Sequence, residues 1–63
     1  DPLAQWTKGD RVKTKLKDQT FSGEIDQIEK DVGWILIHFD SSKPKSSDRV
    51  RPWNLEKQYF LGQ

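Results

Sequence analysis

Residues 11–26 decide the fold: Arg11-Val12-Lys13-Thr14-Lys15-Leu16-Lys17-Asp18-Gln19-Thr20-Phe21-Ser22-Gly23-Glu24-Ile25-Asp26. Val12, Thr14 and Leu16 alternate with Arg11, Lys13 and Lys15, the period-two signature of a half-buried strand. The polar run Lys17 to Thr20 interrupts it and predicts a hairpin loop. Phe21, Gly23 and Ile25 then alternate with Ser22, Glu24 and Asp26, a second strand. Gly23 within that strand predicts a bulge, a bend or a close backbone approach. If Leu16 faces Phe21 across the loop, Val12 meets Ile25 on the apolar face, while Lys13 meets Glu24 and Arg11 meets Asp26 on the charged face. Each such charge pair is worth roughly 0.2–1 kcal/mol. Both faces agree on one register, as a strand with one buried face requires.

The chain on either side extends this pattern. Trp6-Thr7-Lys8-Gly9-Asp10 reads as a turn entering the first strand. Glu29 to Gly33 is charged and glycine-terminated and turns the chain again. Trp34-Ile35-Leu36-Ile37-His38-Phe39 is too short for a stable helix and rich in β-formers, so it is the central strand. Asp40 to Asp48 holds no apolar residue and predicts an exposed loop. Arg49-Val50-Arg51 is a short fourth strand stopped by Pro52, residues 53–56 read as one helical turn, and residues 58–61 as a fifth strand. Four or five short strands joined by tight loops predict an all-β domain: a small SH3-like barrel over residues 6–61, with a linker or remnant at residues 1–5. The expected core is Val12, Ile25, Ile28, Ile35, Ile37, Val50 and Leu55. Trp6 is expected to pack under the first strand and Trp53 to cap the barrel end. Trp34, Leu36 and His38 line the outer face of the central strand, which Tyr59, Phe60 and Leu61 would cover.

Composition bounds the function. In 63 residues, 33% are charged yet the net charge is only +1, and Leu, Ile, Val and Phe number 15. That is enough apolar content for a folded but small-cored module rather than a disordered tail. No apolar run approaches the ~20 residues of a membrane-spanning helix. There is no cysteine and one histidine, so neither a disulfide framework nor a metal site is expected, and no cofactor. The serines lie in a polar loop without a base beside them, and no glycine-rich phosphate loop exists. Binding rather than catalysis is the expected activity.

The ordered set Trp6-x-x-Gly9-Asp10-x-Val12, Phe21-x-Gly23-x-Ile25-x-x-Ile28, Ile35-x-Ile37-x-Phe39-Asp40, then Val50 and Trp53-x-Leu55 resembles a Tudor domain. It is most similar in pattern to chromatin-associated Tudor domains such as those of Polycomb-like proteins. KOW, chromo-barrel and CAP-Gly modules share much of it. The resemblance implies a monomeric nuclear module within a larger protein that reads methylated lysine or arginine, for instance on a histone tail. Ring faces hold the methylated cation at roughly 0.5–2 kcal/mol per contact, and a nearby carboxylate adds charge. By that resemblance Phe21 and Phe39 are cage rings and Asp40 the acid. Leu16 stands where the first-strand aromatic would be, which leaves the cage incomplete.

Two other functions stand beside it. Lys43, Lys45, Arg49 and Arg51 lie within nine residues and suit a nucleic-acid backbone such as that of DNA, with Lys13 and Lys15 as further contacts. Alternatively, the outer Trp34 and Leu36 face, or a sheet edge, would take a protein partner by strand addition.

Overall fold

A computed structural model describes residues 1–59. The elements are β1 (Arg11–Leu16), β2 (Gln19–Glu29), β3 (Trp34–Phe39), β4 (Ser47–Val50), a 3-10 turn (Pro52–Asn54) and β5 (Leu55–Lys57). They form one antiparallel sheet in the order β4-β3-β2-β1-β5. The domain is all-β, as the alternation implies. The sheet is curled but not closed: among the described residues β4 and β5 each pair with one neighbour only. Arg51 and the 3-10 turn carry the chain between these two edge strands, so the gap is spanned covalently rather than by a ladder. Pro52 starts that turn, where its missing N–H and fixed φ suit the first helical position.

The first hairpin forms, with a shorter turn than the polar run suggests. Only Lys17 and Asp18 lie between the strands, both with positive φ (49° and 68°). Two-residue loops of that backbone type match the twist of the flanking strands. Gln19 and Thr20 therefore add rungs, and the register moves by two residues from the expected one. Leu16 faces Gln19, Val12 faces Gly23, Arg11 faces Glu24 and Lys13 faces Ser22. A shift of two preserves which face each side chain occupies, so the buried set survives the correction. Asp26 faces no β1 residue; it is the extra residue of a bulge between Ile25 and Gln27. The bulge resets the alternation, so that Ile25 and Ile28 face the same side as Ile37 and Ile35.

Gly23 marks a close approach. A Cβ there would sit 2.5 Å from the His38 carbonyl oxygen and 2.9 Å from Ile37 Cγ2. β2 and β3 touch at this point more tightly than any side chain permits.

The concave face carries the core. Val12, Ile25, Ile35 and Ile37 are at most 1% exposed, joined by Trp6, Phe39, Val50 and Leu55. Each such burial contributes roughly 1.5–3 kcal/mol. Ile28 is half-buried at the margin rather than central. Thr14 is buried, and its hydroxyl donates to the Asn54 carbonyl at 2.9 Å, tying β1 to the 3-10 turn. Trp6 packs into the core as expected. Trp53 does not cap it, being 71% exposed. The last strand is residues 55–57, paired with Val12 to Thr14, rather than 58–61. Phe60 and Leu61 lie outside the described residues.

Two arginine side chains lie across part of the outer face of β2, β3 and β4. Arg49 on β4 reaches across β3 to Glu29 on β2 at 2.9 Å. The Arg51 guanidinium lies 3.6 Å from the centre of the Trp34 ring and donates to the Val32 and Gly33 carbonyls at 2.8 and 3.3 Å. Tyr59, expected over this face, is exposed.

Candidate functional site

The strand polarity brings three chain segments to one end of the sheet: the end of β1, the start of β2, and the loop leaving β3. Leu16, Lys17, Gln19 and Phe21 from the first hairpin face Lys43, Pro44 and Lys45 from that loop. Between them lies an open groove of ≈ 680 Å³. Leu16 and Phe21 sit on the concave side of their strands because they continue the inward rows of Val12 and Gly23. They are half-buried, the apolar rows running out where the core stops.

The groove has an apolar floor and a cationic rim. Leu16, Phe21 and Pro44 supply the apolar surface, and Lys17, Lys43 and Lys45 supply three ammonium groups from two different loops. No carboxylate is among the lining residues. Asp48 receives Lys45 Nζ at 3.1 Å from outside the groove. The loop is braced at its base, where the Phe39 amide donates to the Ser46 carbonyl at 2.9 Å and the Asp40 amide to the Ser22 carbonyl at 3.0 Å.

Phe21 and Phe39 are neighbours, with ring centroids 5.9 Å apart and planes tilted by 52°, a favourable aromatic geometry. Phe39 is 4% exposed and belongs to the core, so its ring supports Phe21 from behind. Asp40 points the other way. Its carboxylate is held in a two-pronged pair with the Arg11 guanidinium, one prong at 2.8 Å, and Arg11 also donates to Gln58 at 3.0 Å. The hydrogen bond from Arg11 holds the Asp40 carboxyl below the usual aspartate range, against a smaller opposing effect of burial. Of the four residues that the Tudor resemblance singles out, Leu16 and Phe21 line the groove, Phe39 lies beneath it and Asp40 is engaged with Arg11.

The basic cluster divides. Lys43 and Lys45 reach the groove. Arg49 and Arg51 lie on the outer face, committed to Glu29 and to Trp34. Lys13 and Lys15 alternate with the inward residues of β1 and also face outward; Lys13 stands opposite Ser22 and Glu56. Gln19 and Pro44 are groove residues that the sequence pattern did not single out, whereas Lys17 continues the basic row of Lys13 and Lys15 along the chain. Among the described residues, no group of three or more His, Asp or Glu side chains could hold a metal ion.

Comparison of the chain with protein-family models, with curated proteins and with solved structures gives no match.

Proposed function

We propose that this domain is a non-catalytic binding module whose groove takes nucleic acid. The observation that carries the reading is the rim of Lys17, Lys43 and Lys45 around an apolar floor without a lining carboxylate. Cations so placed favour a polyanion and release its counterions on contact, which makes affinity fall steeply with salt. The same rim repels a methylated ammonium, and the acid that would attract one is neutralised by Arg11.

An amide-shift titration with short DNA tests this. The expected shifts fall on Leu16 to Phe21 and on Lys43 to Lys45, with a salt slope of about −2 to −3 for three phosphate contacts. The double change Lys43→Glu with Lys45→Glu abolishes binding. Binding that survives it overturns the reading.

The Tudor resemblance supports a second reading, a nuclear reader of methylated lysine or arginine on histone tails. The neighbouring Phe21 and Phe39 rings with Asp40 next in the chain favour it. Titration with trimethyl-lysine and unmethylated versions of one histone-tail peptide separates the two. Selective shifts at Phe21, Phe39 and Asp40 with the methylated peptide support the reader. Equal responses to both peptides remove it.

A further inference from the structure

We infer that the groove is built for a single strand, with an unstacked base lying on Phe21. This rests on the reading of the groove as a nucleic-acid site and specifies its ligand.

A duplex backbone offers phosphates and sugars, and its base faces are stacked away from any protein surface. Lysines alone would suffice to track it. Here the lysines surround apolar surface from Leu16, Phe21 and Pro44, which a duplex backbone would leave uncovered. A single strand presents both chemistries within one nucleotide, an anionic phosphate and a flat apolar face. Stacking of bases on aromatic side chains in a cationic groove is the general solution for such ligands.

Four features of the groove fit that nucleotide. Its volume of ≈ 680 Å³ falls within the ordinary range of small-ligand sites. The Phe21 ring is partly exposed and packs against the buried Phe39 ring, so the platform is held in place before any ligand arrives. Gln19, the one uncharged polar residue of the lining, carries both a donor and an acceptor and can meet a base edge without choosing among bases. The ammonium groups stand on two separate loops, one on the hairpin side and two on the β3–β4 side, which suits phosphates on either side of a stacked base.

Fluorescence anisotropy tests the inference with three probes: an oligothymidine of about ten nucleotides, a duplex of the same length, and a strand of the same length carrying abasic sites. The single strand is expected to bind about tenfold or more tightly than the duplex. The abasic strand, which keeps every phosphate, loses about tenfold. Phe21→Leu, which keeps the apolar packing, gives a similar loss with the salt slope unchanged, and Phe21→Trp restores affinity. Equal affinity for strand and duplex, or an abasic strand that binds as well as the intact one, overturns base stacking while the nucleic-acid reading stands. Absence of binding to all three probes at low salt overturns that reading itself. An acidic peptide that binds as tightly as the strand overturns both in favour of a protein ligand.

Discussion

Arg11, the first residue of β1, holds Asp40, the first residue after β3, in a two-pronged ion pair across 29 positions of sequence. Gln58 joins them, donating to Ser22 at 3.0 Å while accepting from Arg11. One guanidinium thus links the start of β1, the exit of β3 and the segment after β5. The pair also fixes where the β3–β4 loop begins, and with it the wall of the groove.

This pair gives the domain an acid-sensitive contribution. The Asp40 pKa lies below its ordinary value of 3.8 in the folded protein. Its stabilisation is therefore complete above about that value and is lost as pH falls through the lower folded pKa. The Arg11 pKa is raised and stays above any working pH. Both side chains are partly exposed, so the contribution is about 1 kcal/mol or less. Urea midpoints from neutral pH down to strong acid should show Asp40→Asn less stable than the parent at neutrality and the two converging in acid. A constant gap would contradict the assignment.

Gly23 admits no side chain. Gly23→Ala would push a methyl group against the His38 carbonyl at 2.5 Å, a backbone atom that cannot swing aside. Overpacking of this kind costs about 1–3 kcal/mol. In a domain of this size the melting temperature should fall by roughly 4–8 °C for each kcal/mol. Thermal melts followed by far-ultraviolet dichroism provide the measurement, and an unchanged melting point would exclude the close approach of β2 and β3.

The hairpin turn is improvable. Asp18 adopts φ of 68°, a conformation that glycine reaches without a Cβ penalty. Asp18→Gly should stabilise by about 0.5 kcal/mol, and Asp18→Val should destabilise by about 1–2 kcal/mol. Chemical denaturation with an unchanged slope would attribute the difference to the turn. If both variants lose stability equally, the two-residue turn is not the conformation in solution.

The tryptophans separate sharply. Trp53 is largely exposed, so Trp53→Ala should change stability by no more than about 0.5 kcal/mol. Trp6 is 6% exposed, and Trp6→Ala should cost about 3–5 kcal/mol. The Trp6 indole nitrogen is buried without a hydrogen-bond partner among the described residues. Trp6→Phe should therefore cost much less than the alanine change, since it removes volume but no hydrogen bond. Fluorescence of single-tryptophan variants would show Trp6 blue-shifted and Trp53 solvent-like.

What the sequence determined by itself is the alternation. Arg11 to Leu16, Phe21 to Ile25 and Trp34 to Phe39 each name their inward residues, because side chains on a strand switch faces at every step whatever the partner strand is. Hence most of the core and the all-β class were legible before any tertiary information, and Gly23 was marked as a bulge, a bend or a close approach without a choice among the three. Register was not, because it depends on whether Lys17 and Asp18 can close a two-residue turn. That is a backbone energy which no asparagine–glycine signature announces here. The fate of the cations was likewise decided in three dimensions. Lys43, Lys45, Arg49 and Arg51 are one cluster along the chain. Strand parity turns Arg49 and Arg51 to the outer face, while the loop carries Lys43 and Lys45 to the far end of β1, where Lys17 joins them. Whether a charge faces a carboxylate, a ring or an open groove is set by neighbours distant in sequence. Asp40, which the Tudor resemblance makes an acid for a ligand, is paired with an arginine 29 residues away.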